Sequence, residues 1–182
     1  CLQLVNIDAT EHVIDLALPD YKFELLKLSP TGLVPTLIDG TSVIHDSLAI
    51  TEYINELSNG RLYPESMQER ALARSLCAEM HSGFVNLRTH CSFTLDNVSE
   101  LSEYSDAMKD ELARIEAIFE LAQLPYMFAS PTAVDAYYAI LAFRLKSYGI
   151  QLQGKAGEYQ NRLIKWDLLE NALLQAQQWK DA

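Results

Sequence analysis

The sequence predicts an α/β unit over residues 1–58, a linker over 59–64 and an all-helical unit over 65–182. Three observations predict this. Up to residue 58 the apolar segments are short and separated by turn formers, and Asp39-Gly40-Thr41 between two such segments is a β-hairpin signal. From Pro64 onward, apolar residues recur at three- and four-residue spacing with few breakers. Between the two regimes, Ser58-Asn59-Gly60-Arg61-Leu62-Tyr63-Pro64 sets a Gly past a helical end and a Pro at the start of the next unit.

Taken in order, Glu11–Leu16 (EHVIDL) is expected as a short strand and Tyr21–Leu28 as a short helix stopped by Ser29-Pro30. Thr36–Ile38 and Ser42–Ile44 form the arms of the hairpin. Asp46 or Ser47 then caps a helix through Leu48, Ile50, Tyr53, Ile54 and Leu57, so the first unit reads β-α-β-β-α. In the second unit, Leu72, Leu76, Met80, Phe84 and Leu87 read as one helical stripe. Met108, Leu112, Ile115, Phe119 and Ala122 read as another, and such amphipathic helices pack as a bundle. Further helices are expected over 133–147, 156–166 and 167–180.

Charge and composition narrow the function. Of 182 residues, 49% are hydrophobic and 21% charged, which gives enough apolar material for a sizeable core. Lys and Arg total 14 against 25 Asp and Glu, and the net charge of −11 repels nucleic acid and anionic membrane surfaces. No apolar run approaches the roughly 20 residues of a bilayer-spanning helix, and no secretory signal is visible, so a cytoplasmic protein is expected. Cys1, Cys77 and Cys91 are too scattered for a disulfide framework, and His12, His45, His81 and His90 lack the spacing of a metal site. Reduced thiols and no metal are expected.

Two places carry binding chemistry. Pro35 stands at the start of a strand, where its missing N–H costs no ladder bond. Asp46 and Ser47 open a helix, and a helix N-terminus offers unpaired N–H groups and partial positive charge that suit a carboxylate. Ordinary helix capping is their other reading.

Ser29–Tyr53, SPTGLVPTLIDGTSVIHDSLAITEY, closely resembles the glutathione-binding half of a glutathione transferase. The resemblance continues through RALARSLCAEMHSGFVNLR, and the bacterial cytosolic classes akin to maleylacetoacetate isomerase are nearest. It implies a thioredoxin-like N-terminal domain, an all-α C-terminal domain and a ligand cleft. It also implies a cis Val34–Pro35 bond that presents the Val34 backbone to glutathione in the manner of strand addition. Ser47 would hold the γ-glutamyl carboxylate, with Asp46 near the ligand ammonium. His81, Phe84 and Arg88, taken as one helix segment, are implied as candidates for the pocket of a small hydrophobic electrophile. Phe84 also fits the core stripe, and His81 and Arg88 also fit solvated or ion-paired roles. A two-fold homodimer is implied as well. Thr132 and Asp135 match the family's buried capping box, whose loss costs about 1 kcal/mol or more.

The chain departs from the pattern in two ways. Where Lys or Gln commonly precedes the Val-Pro pair and contacts the ligand's glycine carboxylate, it has Leu33, so weaker glutathione binding is expected unless His45 or another donor substitutes. Family members also begin with a strand and the first turns of a helix bearing the catalytic Ser, Tyr or Cys. Cys1–Val5 resembles the end of that helix, so the group that favours the glutathione thiolate is expected ahead of Cys1 or nowhere, and the catalytic residue is unassigned. None of the three cysteines is assigned its role. The resemblance implies a glutathione transferase, conjugating or isomerising. The alternative is a non-catalytic scaffold or regulatory module of the same fold.

Overall fold

The computed structural model describes residues 1–181, which divide into two compact units, Cys1–Leu62 and the chain from Tyr63 onward. The first opens with a single 3-10 turn at Gln3–Val5. Helix α1 (Tyr21–Leu28), strands β1 (Thr36–Asp39) and β2 (Ser42–His45) and helix α2 (Ser47–Leu57) come next. The strands pair antiparallel, with Thr36 facing His45 and Asp39 facing Ser42. Gly40 takes φ +57 in the two-residue loop, the left-handed value a tight hairpin asks of its first central residue. The Tyr53 hydroxyl donates to Asp39 at 2.8 Å and ties α2 to the hairpin tip.

The expected strand at Glu11–Leu16 does not form. Asp15 ends the extended run, because its carboxylate accepts from the Ala17 N–H at 2.9 Å and its C=O from the Leu18 N–H at 3.3 Å, a side-chain turn that competes with a ladder. Residues 7–10, 12 and 14 line a cavity of about 640 Å³ together with Thr36–Asp39 of β1 and do not pair with that strand. Among the described residues the sheet has two strands.

The second unit is helical: α3 (Met67–Ser82), α4 (Val85–His90), α5 (Asp106–Phe119), α6 (Ala133–Ser147), α7 (Gly154–Ile164) and α8 (Asp167–Lys180). Helix α6 packs against α3, α7 and α8, and α5 packs against α4 and α7. The core centres on Phe119, which meets the Tyr138 and Tyr159 rings edge-on at 5.8 and 5.0 Å. Thr132 and Asp135 close the capping box of α6. Asp135 is fully buried and also accepts from the Met127 N–H at 2.8 Å and the Tyr159 hydroxyl at 2.7 Å.

The stripe from Leu72 to Leu87 is not one helix. Gly83 is extended (φ −101, ψ −168) and Phe84 is left-handed at φ +56, which ends α3 and restarts the chain as α4. A Cβ on Gly83 would lie 2.7 Å from the Glu79 carbonyl oxygen, so the break requires glycine. Three charged side chains hold it. Glu111 accepts from the Asn86 and Leu87 N–H groups at 3.1 and 2.8 Å and caps the start of α4. The Arg88 guanidinium donates to the Met80 and His81 carbonyls at the end of α3, and Arg144 donates to the Cys91 and Arg88 carbonyls at 2.6 and 3.0 Å.

Candidate functional site

The loop from Ser29 to Thr36 is built by hydroxyls. Buried Ser29 donates through Oγ to the Leu33 carbonyl at 3.0 Å, Thr36 Oγ1 donates to the same oxygen at 3.2 Å, and the Leu33 N–H donates to Thr31 Oγ1 at 3.3 Å. Gly32 closes the bend at φ +62, its N–H on the Ser29 carbonyl at 3.1 Å. Sequence reasoning singled out Val34-Pro35 and passed over Ser29, Thr31 and Thr36. Their signal was the crowding of Ser, Thr, Pro and Gly, which marks a side-chain-braced turn.

The Val34–Pro35 bond is cis. Val34 is exposed, and its N–H and C=O take part in no hydrogen bond among the described residues, whereas both backbone groups of Leu33 are engaged. An unpaired N–H and C=O on one exposed residue next to a strand is what an added strand needs.

Asp46 is the N-cap of α2, and its carboxylate accepts from the Leu48 and Ala49 N–H groups at 2.8 and 3.3 Å. Its backbone holds φ +74 and ψ 128, a strained conformation for a residue with a side chain. Ser47 is next, half-buried, its carbonyl accepting from Thr51 Oγ1 at 2.9 Å. Asp46 takes up the Leu48 and Ala49 amides itself, so it acts as an ordinary helix cap at this end of α2. The hairpin pairs Thr36 with His45, so the Val34–Pro35 bond leading into β1 and the Asp46-Ser47 start of α2 flank the same end of the two-stranded ladder.

His81, Phe84 and Arg88 gather about the α3–α4 break rather than along one helix. Phe84 is buried in the core, Arg88 is held by the two α3 carbonyls, and His81 lies half-buried in the last turn of α3. Cys77 and Cys91 are buried, and burial pushes the Cys91 thiol up against a smaller opposing pull from Arg144. Among the described residues, no cluster of His, Cys, Asp and Glu could hold a metal ion, and no helix is long and apolar enough to cross a membrane.

Residues 1–57 match the family model "Glutathione S-transferase, N-terminal domain". A stringent starvation protein A homolog from Haemophilus influenzae is 32% identical over 149 residues, covering 78% of this chain, which spans 65% of that relative's length. A probable maleylacetoacetate isomerase from Vibrio cholerae is 37% identical over 84 residues, 43% of this chain and 39% of the relative. Among solved structures, a glutathione transferase homolog from Burkholderia with bound glutathione superposes with a TM-score of 0.71 at 22% identity, over 100% of this chain and 88% of that one. The first 57 residues thus match the N-terminal domain of the glutathione S-transferases, and the chain shares its fold with a glutathione transferase homolog.

Proposed function

We propose that the chain binds glutathione and serves a glutathione-dependent transfer to, or isomerisation of, a small hydrophobic electrophile. The observation that carries this is exposed Val34, its backbone N–H and C=O unengaged among the described residues, at the cis bond that leads into β1. The cysteinyl part of glutathione pairs with Val34 as an added strand. Its γ-glutamyl carboxylate meets Ser47 at the positive end of α2, and its ammonium lies near Asp46. His81, Phe84 and Arg88, in the second unit, are the proposed acceptor-pocket residues. The protein acts as a homodimer in the cytoplasm on this reading.

A second reading, a docking module without transfer chemistry, is favoured by the likeness over 149 residues to the stringent starvation protein A homolog and by Leu33. Titration with glutathione, paired with a conjugation assay on a chlorodinitrobenzene, separates the two. Binding with turnover supports the enzyme, and binding without turnover supports the module. Absence of binding, or binding that Ser47→Ala does not weaken by about tenfold, the worth of one hydrogen bond to a charged group, sinks the site.

A further inference from the structure

Two hydroxyls close a ring of hydrogen bonds about Leu33. Ser29 Oγ lies 3.0 Å from the Leu33 carbonyl oxygen and 3.0 Å from Thr31 Oγ1, and the Leu33 N–H meets Thr31 Oγ1 at 3.3 Å. A hydroxyl has one proton to give, and a carbonyl has none. The Ser29 proton is therefore committed to the Leu33 carbonyl, which makes Thr31 the donor to Ser29 and leaves the Thr31 oxygen to accept from the Leu33 N–H. The bonds run one way, from the Leu33 N–H through Thr31 and Ser29 back to the Leu33 carbonyl, and each polarises the next. Thr36 Oγ1 brings a second proton to the same carbonyl at 3.2 Å, from beyond Val34 in the chain. Ser29 is fully buried, so water does not compete with it there.

What the ring fixes is the peptide plane that follows it. The Leu33 C=O and the Val34 N–H belong to one planar unit, and across a trans bond the two point in opposite directions. The Leu33–Val34 bond is trans. Two protons on the Leu33 oxygen set the rotation of that plane, and they aim the Val34 N–H away from the Ser29 and Thr36 hydroxyls, where no described group takes it up. The flanking side chains do not hold the plane, since Leu33 is 67% exposed and Val34 is exposed as well.

We propose that Ser29, Thr31 and Thr36 are positioning residues of the glutathione site, which hold the Leu33–Val34 peptide so that its N–H stands ready for the cysteinyl carbonyl of the ligand. This rests on the glutathione-site reading of Val34. The three hydroxyls act through the direction of one N–H, whose ordering is complete before the ligand arrives.

Position 36 separates this role from a merely structural one. Thr36→Ser keeps the hydroxyl and loses the β-branch, whereas Thr36→Val keeps the β-branch that a strand favours and loses the hydroxyl. The test is calorimetric titration of the full chain with reduced glutathione, for the wild type, Thr36→Ser, Thr36→Val and Ser29→Ala, with thermal unfolding of each. Thr36→Val is expected to bind about fivefold more weakly, the worth of one neutral hydrogen bond, while unfolding no earlier than Thr36→Ser, which binds as the wild type does. Ser29→Ala opens the ring, leaves the Leu33 carbonyl to Thr36 and weakens binding by about the same factor. The pair at position 36 decides the matter even where Ser29→Ala, at a fully buried place, does not fold. Thr36→Ser and Thr36→Val proteins that bind alike, or affinities that follow the unfolding temperature rather than the hydroxyl, overturn the proposal and leave the site standing. A wild type that binds no glutathione overturns the site and the proposal with it.

Discussion

The Tyr159 hydroxyl donates to Asp135 Oδ1 at 2.7 Å, and neither residue is exposed to solvent. Burial pushes the Asp135 carboxyl above its ordinary range, although the Met127 N–H, the Tyr159 hydroxyl and Thr132 all stabilise its anion. Asp135→Asn turns one acceptor into a donor facing the Thr132 N–H, which lies 2.8 Å from Asp135 Oδ2. It is expected to cost about 1–3 kcal/mol, the penalty of an unmatched buried group, measured by urea unfolding. Because the folded value is raised, this carboxyl's contribution is full at low pH and lost as pH rises through that value. The Asn penalty therefore grows on acidification from pH 7 to pH 4. A penalty that shrinks would contradict the assignment.

Glu111 has the opposite sign. Burial alone would raise its carboxyl, but the Leu87 and Asn86 donors outweigh it and hold it below its usual range. Its contribution is present above the unfolded value and lost as pH falls through the folded one. Glu111→Gln should cost about 1 kcal/mol at neutral pH, as the loss of a helix cap does, and nearly nothing once the wild-type carboxyl is protonated. Thermal unfolding of both proteins across the acid range checks this.

At Gly83 a methyl group is enough to disturb the fold. The atom it would strike is a backbone carbonyl oxygen of α3, at 2.7 Å, which cannot swing aside. Gly83→Ala is expected to destabilise by about 1–3 kcal/mol, the usual cost of overpacking. An alanine variant with unchanged urea midpoint would mean that the break does not need glycine.

Asp46 combines a strained backbone with a place in the proposed site. At φ +74 a glycine is at ease, and a backbone held in such a region costs about 1–3 kcal/mol. Replacing a capping Asp by Gly costs only a few tenths. Asp46→Gly should therefore raise the melting temperature while weakening glutathione binding, and calorimetry with titration reads both. A variant that loses stability would show that the carboxylate does more for the fold than for the ligand.

Local patterns were legible in the sequence, and long-range partners were not. Helix α1 runs over Tyr21–Leu28 as its breaker predicts, α6 and α8 match their predicted spans, and the hairpin forms about Gly40. Helix α7 starts at Gly154, two residues before the predicted start. The strand at Glu11–Leu16 failed because pairing needs an edge elsewhere in the chain, and no periodicity reports where that edge lies. The Leu72–Leu87 stripe failed because spacing counts apolar residues and is blind to a single Gly between them. Yet Leu76, Met80, Phe84 and Leu87 are all buried, so the stripe named the core while misdrawing the helix. In the first unit, the cis bond before Pro35 and the Asp46 cap could be named from motif alone. The bracing by Ser29 and Thr31 could not, since which carbonyl a hydroxyl finds depends on how the loop closes.

Strand β1 has one ladder partner, β2, among the described residues, and Thr36–Asp39 also line a cavity. An unprotected strand edge is a template for any other strand in solution, and only Pro35 at its start withholds a donor. Self-association of this chain therefore sets its net charge of −11 against the pairing capacity of that four-residue edge, and colloidal behaviour becomes a direct report on whether the edge is covered.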